Sequence, residues 1–331
     1  MSDLFLYLSS EDVHNIVSKD YSFILKGVED ALRMLSDGTA VQPDKISQII
    51  DEKAQNRINC MPATLSEVGT SGMKWVSVFP SNKTKGTENV EGFTILSETE
   101  MGKIKCFMNA TECTSLRTAA IGAVAARYLA NPESKAVGFI GAGKEAEAHF
   151  RMLKFVIPNI SICYFSSRTE SKIAKLIEEL QLQYPDVKFV NCADNYEKAV
   201  VSADIIVTAI SSQEQVLKEK WIRPGMMYIH VAGLEDEYGV AKRATKIVCD
   251  SWDCVKHRTQ TISQMYKNGD LSDDDIYGDL SEIIMGTKPG RETREEFIYF
   301  NSVGMAAIDV LFSNMIYEKA LTNGIGQWLK K

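Results

Sequence analysis

From residue 136 onward, short apolar runs alternate with stretches whose apolar residues recur at helical spacing. The apolar runs cover 136–140, 160–165, 187–190, 203–210, 226–233 and 247–249, and helical patterns cover 171–183 and 196–202. Strand–helix alternation of this kind predicts a parallel, doubly wound α/β sheet. Upstream the pattern differs. Residues 57–61, 72–79, 92–97 and 104–108 read as strands in an antiparallel or mixed sheet, with turns at 81–86 and 98–102. Helical spacing covers 21–36 and stops at Asp37-Gly38; the run Ser9-Ser10-Glu11-Asp12 reads as a helix cap with acids in its first turn. Residues 111–130 are alanine-rich with few polar positions, which predicts a buried helix. Near the end, 293–300 returns to strand character and 303–321 to helix, folding back on the first domain.

Composition narrows the class. The 331 residues are 45% hydrophobic and 24% charged, with a net charge of −7, which suits about two globular domains. No basic patch points to nucleic acid, and no apolar run is long enough to span a membrane. The acids at 11 and 12, with no basic segment before them, predict no signal peptide and a cytoplasmic protein. Seven scattered cysteines without a CxxC pair predict reduced thiols packed as small apolar residues. Four histidines show no metal-ligand spacing, so no metal site is expected. The acidic stretch 270–275 lacks the glycine and the spacing of a calcium loop and predicts a solvated capping turn.

The chemistry starts at AVGFIGAGKEAE, residues 136–147. A buried strand runs into Gly141-Ala142-Gly143 and then into a helix. Gly141 permits the tight turn, Gly143 lets backbone N–H groups approach a pyrophosphate, and Ala146 allows close helix–strand packing. Lys144 and Glu145 open the helix. This predicts a dinucleotide site and, with it, redox chemistry.

Several short motifs then fall in order: Met61-Pro62-Ala63, Gly72-Met73-Lys74-Trp75-Val76, Ser115-Leu116-Arg117-Thr118-Ala119-Ala120, the Gly141–Gly143 turn, and Ser302-Val303-Gly304-Met305-Ala306 with Asp309 after it. This order resembles the ornithine cyclodeaminase/mu-crystallin family over nearly the whole chain. Residues 278–282 and 288–292 resemble the branch that makes 2,3-diaminopropionate, whose members oxidise an N-substituted amino acid at its C–N bond. The resemblance implies a Rossmann domain over 116–304. It implies a mixed α+β substrate and dimerisation domain over 1–115, completed by 305–331. It further implies a homodimer, an amino- or imino-acid substrate, and hydride exchange between the substrate's α carbon and a nicotinamide. A cyclodeaminase that recycles bound NAD, and a crystallin-like binding protein without turnover, share the same frame.

The resemblance also distributes roles. Lys74 holds the substrate carboxylate or assists proton transfer; the alternative is an edge lysine reaching solvent. Arg117, whose planar fork suits a carboxylate, is a second carboxylate ligand; the alternative is an interdomain salt bridge. Lys45 matches a position that is often arginine in relatives and is a third substrate contact or a surface charge. Thr118, Thr208 and Ser302 are cofactor contacts, Ser302 having a helix N-cap as its alternative. Glu235 aligns where most relatives carry a catalytic aspartate and would handle the nitrogen-side proton. Asp236 serves if the alignment slips by one, and both are otherwise solvated loop acids. After the second Rossmann strand, Ser167 and Arg168 stand where NAD enzymes usually place an acid. Loss of that acid and gain of Arg168 favour NADP(H), with NAD(H) the alternative.

Overall fold

The computed structural model describes residues 4–18, 20–210 and 214–331. Its contacts divide the chain into two units, Met1–Arg117 with Gly304–Lys331, and Thr118–Val303.

The first unit is built on a mixed eight-stranded sheet. Its long strands Asn56–Leu65, Thr70–Val78, Val90–Glu98 and Ile104–Asn109 form an antiparallel meander, in which Lys74 pairs with Met61 on one side and Thr94 on the other. Alternate residues of the 56–65 strand are buried, as a sheet covered on one face requires. The covering elements are helical. The Ala306–Asn323 helix lies on these strands and on the Tyr21–Ser36 helix, and it is buried nearly all round because it has neighbours on several sides. Gly72 makes this close approach possible. A Cβ there would lie 2.8 Å from the Ile95 carbonyl oxygen and 3.1 Å from Val310. The Ser10–Val17 helix begins with a capping box in which Ser9 and Asp12 bond each other's backbone N–H groups.

Four strands of this sheet lie outside the predicted set, one of them the two-residue Ala40–Val41 strand beside 56–65. Leu4–Leu8 is parallel to the 104–109 strand and antiparallel to Gln327–Lys330, and the exposed Ile46–Asp51 strand pairs with 56–65. The predicted strand at 293–300 is shorter, Ile298–Asn301. Its first residues are drawn into a turn instead, because the Glu296 carboxylate accepts the backbone N–H groups of Glu292 and Thr293.

The second unit holds a sheet whose eight strands pair in parallel throughout. Ala136–Ile140 is flanked by Ile162–Ser166 on one side and Ile205–Thr208 on the other, and the chain order reverses between 136–140 and 205–208. These strands are almost wholly buried, as expected of a parallel sheet with helices on both faces. Reversals of this kind open the crevice in which doubly wound folds bind ligands, at the carboxyl ends of the strands. No helix among the described residues is long and apolar enough to cross a membrane.

Candidate functional site

Two residue clusters carry the chemistry, one in each unit. In the first unit, Lys74 and Arg117 converge on Asp309. The Lys74 ammonium donates to Asp309 Oδ1 at 2.6 Å, and the Arg117 Nε donates to the same oxygen at 2.9 Å. The side chains of Lys74, Arg117 and Asp309 are 1%, 8% and 3% exposed. Lys74 therefore does not reach solvent, and Arg117 pairs within its own unit rather than across a domain boundary. Nε is the Arg117 nitrogen that Asp309 holds. Asp309 Oδ2 is buried and has no hydrogen-bond partner among the described residues. Burial, and then the neighbouring Arg117 charge, lower the Lys74 pKa to about 8, against the opposing pull of Asp309. Gly304 completes the cluster. Its φ is +76°, and a Cβ there would fall 2.3 Å from an Arg117 terminal nitrogen, so only glycine leaves room for the guanidinium. Lys45 sits half-buried in the loop before the 46–51 strand.

In the second unit, the Ala136–Ile140 strand ends in Gly141, at φ +121°, and the Lys144–Val156 helix begins after Gly143. A Cβ on Gly141 would lie 2.8 Å from the Ala209 carbonyl oxygen. Around Gly143 nothing lies within 4 Å of such a Cβ, and no side chain caps the helix start. The turn thus presents an uncapped helix N-terminus beside open space, which fits a dinucleotide pyrophosphate. Lys144 is exposed, and Glu145 and Thr118 are half-buried. At the end of the next strand, Ser166 is buried and donates to the Ala193 carbonyl, Ser167 is half-buried and Arg168 is exposed.

Glu235 and Asp236 are both fully buried, which rules out solvated loop acids. Thr208 donates to Glu235 Oε2 at 2.6 Å, and the Ile210 N–H donates to Oε1 at 2.9 Å. Asp236 accepts from Thr261 at 2.6 Å and from Tyr299 at 3.1 Å. The His230 ring lies 3.5 Å from Glu235 and 3.8 Å from Asp236. Burial raises the pKa of both acids, and the His230 charge pulls each back down. The Thr208 hydroxyl is shared between Glu235 and Tyr228. Ser302 donates to Asp250 and does not cap the last helix, whose N-cap is Met305.

Sequence reasoning missed Asp309 as a site residue, and with it His230, Asn301 and Gln260. An available signal was the pair of cations on apolar elements, which demanded a buried acid. Asp309 is the acid of the otherwise apolar first turns of its helix. Among the described residues no group of three or more His, Cys, Asp or Glu side chains is arranged to hold a metal. The acidic stretch forms the turn Asp273–Asp275 with a Ser272–Asp275 capping box. Five of the seven cysteines are buried and none is in a disulfide.

The parallel doubly wound sheet with its glycine turn, and the buried cation pair of the first unit, define an enzyme of the amino-acid dehydrogenase and imine reductase class. The chain belongs to the ornithine cyclodeaminase/mu-crystallin family, whose sequence profile matches residues 7–324. It is 25% identical to N-((2S)-2-amino-2-carboxyethyl)-L-glutamate dehydrogenase of Staphylococcus aureus over 98% of both chains. Among solved structures it superposes on the Thermococcus litoralis Delta(1)-pyrroline-2-carboxylate reductase in complex with NADH and L-proline, at TM-score 0.92 and 30% identity over 98% of this chain and 99% of that one. An archaeal alanine dehydrogenase dimer with bound NAD superposes at TM-score 0.89 and 31% identity over 99% of both chains.

Proposed function

We propose that this chain is an NAD(P)-dependent oxidoreductase acting on the C–N bond of an α-amino or α-imino acid. The charge balance at Lys74, Arg117 and Asp309 supports this most directly. Two buried cations share one carboxylate, which leaves an excess positive charge where water cannot solvate it. A substrate carboxylate is the anion that balances it. Arg117 would bind that carboxylate through its terminal nitrogens, Lys74 through its ammonium, and Lys45 would add a third charge. With a pKa near 8, Lys74 is also suited to hold or release a proton at the substrate near neutral pH.

In the second unit, Gly141, Ala142 and Gly143 would cradle the pyrophosphate with Lys144 and Glu145, and Thr118, Ser167, Arg168, Thr208 and Ser302 would hold the rest of the dinucleotide. The nicotinamide supplies the hydride donor or acceptor for the α carbon. Glu235 would take or return the nitrogen-side proton, its raised pKa bringing it nearer the working pH. In the oxidative direction, water would hydrolyse the imine to a 2-oxo acid and an amine. The named activity of the Staphylococcus aureus relative makes an N-substituted amino acid a substrate to test. Exposed Arg168 favours NADP(H); the two solved relatives carry NADH and NAD, so both cofactors belong in the assay. The dimeric alanine dehydrogenase supports a homodimer here.

The test is absorbance at 340 nm with NAD, NADP, NADH and NADPH against amino acids, N-(carboxyalkyl) glutamates, cyclic imines, and 2-oxo acids with amines. Turnover that disappears in Lys74→Ala is expected. Ammonia from ornithine without a net change at 340 nm would replace this reading with a cyclodeaminase. Tight NADPH binding without turnover on any substrate would replace it with a binding protein.

A further inference from the structure

His230 ends the Met227–His230 strand and Asn301 ends the neighbouring Ile298–Asn301 strand, in register opposite one another. The nearest neighbour of each His230 ring nitrogen, at 2.7 Å, is a group whose role can be fixed. Gln260 Nε2 donates to the Ser302 carbonyl at 2.9 Å and faces the Val231 carbonyl at 3.5 Å. Carbonyls only accept, so this amide has one orientation. Its Oε1 must then accept from Asn301 Nδ2, at 2.7 Å. That fixes the second amide, and Asn301 Oδ1 is left to face His230 Nδ1 at 2.7 Å. On the other side, His230 Nε2 lies 2.7 Å from the Gly233 carbonyl. Each ring nitrogen therefore meets an acceptor, and each must carry a proton. A neutral imidazole has only one.

We propose that His230 is a buried imidazolium, held charged by the Ser302–Gln260–Asn301 amide relay, and that it is the positioning residue for Glu235. This rests on the oxidoreductase reading for its consequence, not for the protonation state. The groups facing the ring are Glu235 at 3.5 Å, Asp236 at 3.8 Å and the Tyr299 hydroxyl at 3.2 Å. Tyr228 stacks on it, with ring centroids 5.8 Å apart, and its hydroxyl bonds Thr208. Two acids and one fixed cation leave one net negative charge in a fully buried cluster. The cation beside Glu235 keeps that acid ionised against its burial, and so able to accept a proton; without it, burial would leave Glu235 protonated and filled.

The test begins with wild-type protein labelled with 15N-histidine and NMR at pH 7.5. Two slowly exchanging ring N–H signals from one histidine are expected. His14 and His257 are exposed, so their ring protons exchange with water, and His149 is buried and neutral with one ring proton. A single ring proton on His230 at pH 7.5 would overturn the proposal whether or not any substrate is found. His230→Gln, which carries no charge, is expected to delete both signals and to move the acidic limb of kcat upward by about one pH unit or more, with KM for the substrate little changed. If kcat falls with an unmoved pH profile, the residue is merely structural and the positioning role is wrong. If the variant does not fold, the wild-type spectrum still decides the protonation state. Gln260→Leu, which removes the acceptor that orients the Asn301 amide and frees that amide to donate to His230 Nδ1, then carries the pH-profile test, with the same upward shift expected and an unmoved limb again counting against the role.

Discussion

Lys74 and Asp309 are 235 residues apart in the chain and joined by a 2.6 Å hydrogen bond in the folded protein, with neither side chain more than 3% exposed. Arg117 donates to the same carboxylate oxygen. Asp309→Asn keeps the shape and removes the charge, which leaves two cations facing each other in a dry site. Breaking a buried pair in this way costs about 3–5 kcal/mol, and urea denaturation is expected to show a loss of that order. The Lys74 pKa, already lowered to about 8 by burial and by Arg117, loses the interaction that holds it up. The pH limb that reports Lys74 is then expected to move down. A limb that stays in place would mean that Asp309 does not set the lysine's proton affinity.

The Arg117 fork depends on its geometry as well as its charge. Arg117→Lys preserves the charge but not two parallel N–H groups, and charge-assisted hydrogen bonds are worth about 1.5–3 kcal/mol. The expected result is a rise in the substrate KM of about 10- to 100-fold. Gly304→Ala reaches the same group from the other side, because a methyl 2.3 Å from the terminal nitrogen must displace it. The same rise in KM is expected, together with about 1–2 kcal/mol of backbone strain at a φ of +76°. Steady-state kinetics that leave KM unchanged in both variants would remove Arg117 from the carboxylate site.

Much of this was legible in the sequence, and the remainder was not for definite reasons. The Tyr21–Ser36 and Thr111–Leu129 helices, the four-strand meander and the Gly141–Gly143 turn all carry strong local signals: periodicity, capping residues and glycine spacing. The Leu4–Leu8 and Gln327–Lys330 strands carry none, because each is short and owes its form to a partner at the opposite end of the chain. Asp309 follows the Ser302–Ala306 motif with no local sign of its role, since nothing local to an apolar helix names a lysine 235 residues away. For the acids at 235 and 236 the resemblance supplies a catalytic role, but their neighbours in sequence leave a solvated loop open as the alternative. Their burial depends on His230, Thr208, Thr261 and Tyr299, which four separate segments supply.

Gly141 and Gly143 separate a fold requirement from a binding requirement. Gly141→Ala places a methyl against the Ala209 carbonyl at a φ of +121°, which is expected to destabilise the unit by about 1–3 kcal/mol. Gly143→Ala adds a methyl where nothing lies within 4 Å, so stability is expected to change by less than about 1 kcal/mol. The same methyl stands where a phosphate would approach the helix start, and NAD(P)H affinity is expected to fall about 10-fold or more. Fluorescence titration beside thermal unfolding measures both. An unchanged affinity in Gly143→Ala would place the pyrophosphate elsewhere.

His149 makes folding sensitive to acid. Its ring is fully buried, its Nδ1 lies 2.7 Å from the Glu145 carbonyl, and its Nε2 has no partner among the described residues. Burial lowers its pKa to about 4, from an ordinary 6.5. Between those values the unfolded chain binds a proton that the folded chain refuses, so stability falls as pH drops from about 6.5 towards 4. The buried acids Glu235 and Asp236 act with the opposite sign, because their raised pKa values let the folded chain bind protons first. His149→Gln leaves those acids in place and is neutral at every pH, so subtracting the two stability curves isolates the histidine. The wild type is expected to lose up to about 3 kcal/mol more than the variant across this window, and to run parallel to it above pH 7. Parallel curves throughout would mean that the ring takes its proton in the folded state, and that a group able to stabilise the charged form reaches Nε2.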